Sequence, residues 1–284
     1  MELSICNVCK SYKKNIALFE FSFRFTPGIY ALLGPNGSGK STLMNIITDN
    51  LKADKGTIAY DGKDVVKMGS EYLSLLGYMP QYTGMYSQFS AEEYLYYIAS
   101  LKGLKEPKNQ INKVLQDMEL DDVATKKTYT YSGGMKQRLA LAQAMLGDPK
   151  IIVLDEPTAG LDPKQRIAVR NYISKNSIER IVIVATHVVS DIEYIAKEAI
   201  FLKKGKIIDH GTPSDLAKKS EGKVWSVHCT ARDVSAFQND FRVINIFSDG
   251  DDVSLRIFSE IKPCTDAVQA SPTLEDEYIR VFSS

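Results

Sequence analysis

The chain of 284 residues is 44% hydrophobic and 25% charged, and its 35 basic residues balance 35 acidic ones. Such a composition is typical of a globular protein, and the length suffices for one large domain with an appendage or for two smaller domains. The formal net charge of zero argues against general nucleic-acid binding, which needs excess positive charge, so we expect no nucleic-acid partner. The sequence shows neither an apolar run of the roughly 18 to 20 residues that cross a bilayer nor a secretory signal. We therefore expect a protein of the cytoplasm or of the cytoplasmic face of the cell membrane.

Strand and helix patterns alternate through most of the chain, which predicts an α/β fold with a mostly parallel sheet. Residues 3–9 are predicted to form the first strand. Its Cys6-x-x-Cys9 spacing is interpreted as structural, because the other cysteines supply no second ligand pair for zinc. An apolar strand at 28–33 ends in a glycine-rich loop, and 41–51 are predicted to follow as a helix.

The middle of the chain predicts two insertions around this core. Alternating polarity at 56–65 predicts an antiparallel hairpin. The stretch 84–148 is largely helical by pattern, and Ser90 with Glu93 forms a capping box. We interpret it as a helical subdomain inserted into the α/β core.

Sheet patterns return in the second half, first at 151–154 and 181–185. The residue pattern changes after Gly222 to short alternating segments followed by a helical one. The tail is therefore predicted to be a small α+β appendage. We place the ATPase-sized domain at 1–220 and the appendage at 221–284. The predicted elements of the tail are strands at 223–229, 241–247 and 253–258 and a helix at 274–282.

The glycine-rich loop satisfies the pattern G-x-x-x-x-G-K-S in full, from Gly34 to Ser41, between a strand and a helix. Glycines let backbone N–H groups turn inward, and together with the positive end of the following helix they bind phosphate. Lys40 is predicted to reach the outer phosphates of a nucleotide, and the Ser41 hydroxyl is predicted to ligate magnesium.

An acidic pair, Asp155 and Glu156, follows the apolar strand at 151–154 directly. The carboxyl end of such a strand is where ligands bind in open α/β sheets. Asp155 is placed to hold magnesium, and Glu156 to act as general base towards an attacking water. Taken alone, the pair is also consistent with solvated acids before Pro157.

The segment 131–138 reads Tyr-Ser-Gly-Gly-Met-Lys-Gln-Arg and resembles the signature motif of the ABC ATPase family, with Tyr131 where leucine is usual. Small residues at a helix N-terminus let backbone N–H groups approach a phosphate closely. The resemblance implies that Ser132, Gly133 and Gly134 contact ATP held by a second ATPase subunit, most simply in a homodimer.

Further motifs of that family follow in the expected order. By resemblance, Tyr12 stacks on adenine, Gln81 lies in the loop that leads to the helical subdomain, and His187 contacts the γ-phosphate. The loop 159–162 resembles the segment that crosses the dimer seam. Each residue alone also has an ordinary structural interpretation, as a surface tyrosine, a loop glutamine or a helix cap.

The resemblance implies the following assignments, with ATP and magnesium as cofactors. The catalytic set is Glu156, His187, Lys40 and Gln81. The nucleotide-binding set is Tyr12, Gly34, Pro35, Asn36, Gly37, Ser38, Gly39, Lys40, Ser41, Thr42, Ser132, Gly133 and Gly134. The metal set is Ser41, Gln81 and Asp155.

The function that this resemblance implies is that of an ATP-hydrolysing motor subunit of an ABC transporter, most similar to bacterial exporters with separate membrane subunits. The apolar and aromatic segment 82–86 is predicted to bind a separate membrane permease. Three alternatives remain open: an importer, a soluble ABC ATPase with a partner outside the membrane, and an accessory subunit that binds nucleotide without turnover.

Overall fold

The structure is a computed structural model that describes residues 1–81, 84–250 and 252–282. The chain divides into two compact units, Met1–Asp209 and His210–Ser284. Within the described residues no helix is both long enough and apolar enough to pass through a membrane.

Strands of the first unit form two sheets, one antiparallel and one mainly parallel. The strands are β1 (Leu3–Tyr12), β2 (Asn15–Phe25), β3 (Gly28–Leu33), β4 (Lys55–Tyr60), β5 (Lys63–Asp64), β6 (Leu76–Met79), β7 (Ile151–Asp155), β8 (Ile181–Ala185), β9 (Glu198–Lys203) and β10 (Lys206–Gly211), the last of which extends into the second unit. The antiparallel sheet has the order β2-β1-β4-β5, and the mainly parallel sheet has the order β10-β9-β3-β8-β7-β6.

Helices of the first unit lie between these strands in the chain. They are α1 (Lys40–Ile47), α2 (Val65–Met68), α3 (Ser70–Ser74), α4 (Ala91–Leu101), α5 (Lys108–Asp117), α6 (Gly133–Met145), α7 (Pro163–Asn176) and α8 (Val189–Ile192). The capping box of Ser90 and Glu93 begins α4 as the sequence predicts. Helices α4, α5 and α6 make up the inserted helical segment.

The central strands are parallel and buried on both faces. β3 pairs with β8 and β9, β7 pairs with β6 and β8, and all of these pairs are parallel. Every residue of β7 and β8 is buried, which explains why they read as continuous apolar runs rather than as alternating patterns. Because these strands are parallel, their carboxyl ends meet at one edge of the sheet, where the loops after β3, β6, β7 and β8 lie.

The main core of the first unit joins the two sheets around α1. Its fully buried side chains include Leu3 of β1, Tyr30 of β3, Leu43 of α1 and Ile183 of β8. Helix α1 is thus held on the sheet by a continuous apolar cluster. This packing fixes the position of the α1 N-terminus, at which the glycine-rich loop ends.

Helix α1 ends at Ile47, earlier than the predicted end at 51. The Thr48 hydroxyl donates to the Met44 carbonyl oxygen at 2.9 Å and competes with helix continuation. Asp49 then has a φ of 56°, in the left-handed region where a helix cannot continue.

The second unit is an α+β structure. Its elements are α9 (Pro213–Lys218), β11 (Val224–Thr230), α10 (Val234–Asp240), β12 (Arg242–Asp249), β13 (Asp252–Phe258), β14 (Val268–Gln269) and α11 (Leu274–Phe282). The antiparallel sheet has the order β12-β13-β11-β14.

The predicted domain boundary after residue 220 stays a prediction. In the structure α9 packs against α11, and the Ser220 hydroxyl donates to Glu277 at 2.6 Å. The compact unit that contains them begins at His210.

Candidate functional site

The glycine-rich loop between β3 and α1 is too tightly packed for other residues at two positions. A Cβ atom on Gly34 would lie 2.2 Å from the Leu202 carbonyl oxygen, and one on Gly39 would lie 2.4 Å from that of Ala17. Gly39 also has a φ of 111°, which side-chain-bearing residues rarely adopt. The glycines of the motif are therefore required by the path of the backbone.

Lys40 lies inside this loop. Its ammonium donates to the Gly34 carbonyl oxygen at 2.6 Å and to that of Pro35 at 3.1 Å. Burial lowers the pKa of Lys40 below its ordinary value, while the carboxylates of Glu156 and Asp155 act to raise it. The loop, the ammonium and the acidic pair thus share one electrostatic environment.

Ser38 gives a direct indication that the loop is built for an oxygen-rich ligand. The residue is 2% exposed, and its hydroxyl oxygen has no hydrogen-bond partner in the described part of the chain. A buried hydroxyl without a partner costs about 1–3 kcal/mol. A phosphate oxygen in the loop would satisfy it, so the residues present fit the nucleotide that the sequence predicts.

Asp155 and Ser41 provide the oxygens expected for magnesium. The Ser41 hydroxyl lies 3.5 Å from Asp155 Oδ2. Burial and the adjacent Glu156 charge raise the pKa of Asp155, whereas Lys40 and the Ser41 hydroxyl act to lower it. No group of three or more His, Cys, Asp or Glu side chains that could hold a metal occurs among residues 1–81, 84–250 and 252–282. A hydroxyl and one carboxylate with nucleotide oxygens is a donor set that suits magnesium.

Glu156 follows β7 in a strained conformation, with a φ of 52°. Its N–H donates to the Ala185 carbonyl oxygen at 2.8 Å, and its own carbonyl accepts from Gln137 Nε2 at 2.6 Å. The carboxylate accepts from the Thr186 hydroxyl at 3.0 Å, and His187 Nδ1 lies 2.7 Å from Oε1. Glu156 is therefore fixed at both its backbone and its side chain.

These groups surround a cavity of about 230 Å³ at the carboxyl edge of the parallel sheet. Tyr12 lies at its rim with 49% of its surface exposed, as an aromatic residue that stacks on a base requires. The lining residues are Tyr12, Ala17, Asn36, Gly37, Ser38, Gly39, Lys40, Ser41, Thr42, Gln81, Asp155 and Glu156. The loop, the acidic pair and Gln81 thus line one cavity. The chemical roles assigned to these residues stay predictions.

The signature segment forms a separate surface. Ser132 is the exposed N-cap of α6 and accepts from the Met135 N–H at 3.2 Å. A Cβ on Gly134 would lie 2.6 Å from Gln165 Oε1, whereas Gly133 has open space around it. None of Ser132, Gly133 and Gly134 lines the cavity that holds Lys40.

The segment predicted to bind a permease is only partly described, since Tyr82 and Thr83 lie outside the described residues. Tyr86 is 53% exposed. Its ring lies 5.3 Å from that of Phe89 and 5.4 Å from that of Tyr97. The exposed part of the segment thus belongs to an aromatic cluster, defined as Tyr86, Phe89 and Tyr97.

Sequence reasoning did not identify two residues that contact Glu156. Gln137 belongs to the signature segment, and its link to the Glu156 carbonyl needed the packing of α6 to be known. Thr186 directly precedes His187, and its hydroxyl bond to the catalytic candidate depends on how β7 and β8 pair in parallel. The sequence signal that could have identified Thr186 is its position as a polar residue directly after a central apolar strand.

Comparison with known protein families identifies a matching family model and relatives that align with most of the chain. The family model described as ABC transporter matches residues 18–159. The protein named uncharacterized ABC transporter ATP-binding protein YxlF of Bacillus subtilis is 36% identical over 228 residues, which are 79% of this chain and 76% of that protein. The linearmycin resistance ATP-binding protein LnrL of the same organism is 31% identical over 220 residues, 76% of this chain and 71% of that one.

Solved structures show the same relationship. A dimeric bacterial ABC transporter cassette matches with a TM-score of 0.67 at 25% identity and covers 74% of this chain and 98% of its own. The same cassette in a post-hydrolysis state, bound to ADP and Pi, matches with a TM-score of 0.68 at 26% identity, with the same coverage. The predicted fold class, a P-loop ATPase core with an antiparallel subdomain, inserted helices and a C-terminal appendage, is confirmed. The chain belongs to the ABC transporter family and is an ATP-binding, ATP-hydrolysing motor domain of that family.

Proposed function

We propose that this chain is the ATPase subunit of an ABC exporter, in which two copies close around two MgATP and drive a membrane permease carried on another polypeptide. The observation that carries the catalytic part is the single cavity in which Lys40, Asp155 and Glu156 meet. Each of its residues has a role that follows from its position.

Binding of ATP uses the loop. Its N–H groups, the Ser38 hydroxyl and the Lys40 ammonium neutralise and orient the phosphates, and Tyr12 packs on the base. Lys40 exchanges its bonds to the loop carbonyl oxygens for phosphate oxygens, because an ion pair inside a partly buried site is stronger than a bond to a neutral acceptor. Ser41, Gln81 and Asp155 hold magnesium, which offsets charge on the phosphates when it is bound.

Hydrolysis requires a base that takes a proton from the attacking water. Glu156 lies next to the magnesium-binding candidate Asp155 and keeps a fixed carboxylate. His187 pairs with Glu156 in this structure, and it would turn towards the γ-phosphate when ATP is present. A positioned base of this kind contributes roughly 10²–10⁴-fold to rate.

A second copy of the chain supplies the signature surface. The exposed N-cap Ser132 and the glycines beside it do not reach the cavity of their own chain, although the N-terminus of α6 is well suited to phosphate. The solved relative is a dimeric cassette. Closure of two copies would place the signature of one on the ATP of the other, and loss of the γ-phosphate would loosen the pair.

A permease would bind the aromatic cluster and the segment before it, and would hold the chain at the cytoplasmic face of the cell membrane. Exposed aromatic side chains often anchor protein interfaces, and a helix of the permease would pack against those of this cluster. The name of the B. subtilis relative, a linearmycin resistance protein, supports export as the direction.

The test is Glu156→Gln, which keeps the size of the side chain and removes its basicity. We expect ATP binding and a stable ATP-bound dimer by size-exclusion chromatography, with turnover lowered by roughly 10²–10⁴-fold. Glu179→Gln, at an exposed position after α7, is the matched control and should behave as wild type. Wild-type turnover in Glu156→Gln would contradict the assignment of Glu156 as the base.

A further inference from the structure

The two oxygens of the Glu156 carboxylate have different partners. Oε2 accepts from the Thr186 hydroxyl at 3.0 Å. Oε1 accepts from the His187 N–H at 3.0 Å and lies 2.7 Å from His187 Nδ1. Both Thr186 and Glu156 are buried, at 1% and 8% exposure. The bond between them is therefore shielded from competition with bulk water.

The Thr186 hydroxyl has a defined direction. It accepts from the Val188 N–H at 3.0 Å, so one of its lone pairs is already used. A carboxylate only accepts, so the hydroxyl hydrogen must point to Glu156. Thr186 thus connects the loop after β8 to the loop after β7 with a bond of fixed polarity.

We propose that Thr186 is a positioning residue for the Glu156 carboxylate. The proposal rests on the proposed function, in which Glu156 is the base. Because Thr186 holds Oε2, His187 can leave Oε1 for a phosphate while the carboxylate keeps its orientation. Oε1 is then free to accept the proton of the attacking water.

The main test is Thr186→Val, which keeps the branched shape and removes the hydroxyl. We expect single-turnover hydrolysis to fall roughly ten- to hundred-fold, as for a misplaced catalytic group, with ATP affinity within about twofold of wild type. Thr186→Ser restores the hydroxyl and should recover the rate to within about threefold. The matched control is Thr48→Val, whose buried hydroxyl bonds only within the first unit at the end of α1 and should leave the rate unchanged.

Glu156→Gln separates this inference from the proposed function. If that variant keeps normal turnover, Glu156 is not the base and the proposed function fails. If it is inactive while Thr186→Val hydrolyses ATP at the wild-type rate, the base stands and the role of Thr186 is refuted. A folded Thr186→Ser that stays as slow as Thr186→Val would also refute it. Should the valine variant fail to fold, Thr186→Ala removes the same hydroxyl without adding a methyl group and takes its place.

Discussion

Helix α6 approaches β6 so closely that Gly77 is predicted to tolerate no side chain. A Cβ atom there would lie 2.0 Å from the Ala144 carbonyl oxygen and 3.0 Å from Pro149 Cγ. The first contact is about 1.4 Å short of 3.4 Å, where ordinary van der Waals contact begins. The obstructing atom is backbone in the last turn of a helix, so it cannot rotate away as a side chain would. Gly77→Ala must therefore move α6 or β6.

The expected cost follows from that displacement. Overpacking a close-packed interior by one methyl group costs typically 1–3 kcal/mol, and a clash with backbone belongs at the upper end. We expect the free energy of unfolding to fall by about 3 kcal/mol and the melting temperature by roughly 6–12 °C for a domain of this size. Chemical denaturation measures the free energy of unfolding, and differential scanning calorimetry measures the melting temperature.

Gly84→Ala is the matched control, because no atom lies within 4 Å of its Cβ position and its φ is not in the left-handed region. It should change the unfolding free energy by under about 0.5 kcal/mol. Gly77→Ala should also lower ATPase activity in the fraction that folds, since α6 carries Ser132 and Gln137. A melting temperature within 1 °C of wild type would refute the close approach of helix and strand.

Two further predictions concern the helical segment. Burial lowers the pKa of Lys102 to about 8, although its ammonium donates to the carbonyl oxygens of Leu76 and Leu146. The unfolded chain then binds more protons than the folded one between about pH 8 and 10.5, so wild type should gain up to about 3 kcal/mol over Lys102→Met across that range. Equal pH profiles of unfolding free energy for the two proteins would contradict the lowered pKa. Met85→Asp with Tyr86→Asp should leave basal ATPase activity intact and abolish its stimulation by the permease, whereas loss of ATP binding would count against a docking surface.

The sequence predicted the parts of the site that are contiguous in the chain. The loop from Gly34 to Ser41 and the pair Asp155 and Glu156 are local patterns whose chemistry follows from spacing and from the strand before them. Parallel central strands were recognised because burial on both faces leaves an uninterrupted apolar run, as in 181–185. The capping box of α4 was predicted for the same reason, since all its groups lie within four residues.

Elements that depend on distant contacts were not predicted. Strand β2 was missed although residues 19–25 alternate Phe with polar side chains, as a half-buried strand does. Its irregular pairing with β1 depends on the tertiary structure. Helix α10 and strand β14 are short, so they depend on the tertiary packing of the second unit rather than on their own pattern. The bond of Thr186 to Glu156 joins residues 30 positions apart and exists only because β7 and β8 are neighbours.

The contact between Gln137 and Glu156 of one chain gives a physical route between the two ATP sites of the proposed dimer. Gln137 lies one turn into α6, the helix that begins at Ser132, and its side-chain amide donates to the Glu156 carbonyl oxygen at 2.6 Å. If the α6 N-terminus meets a phosphate as proposed, a movement of α6 would be transmitted through this bond to the backbone of Glu156. Glu156 already has a strained backbone, with a φ of 52°, so a small displacement there changes where its carboxylate points. Hydrolysis in one site would then depend on whether the signature of the same chain is engaged in the other.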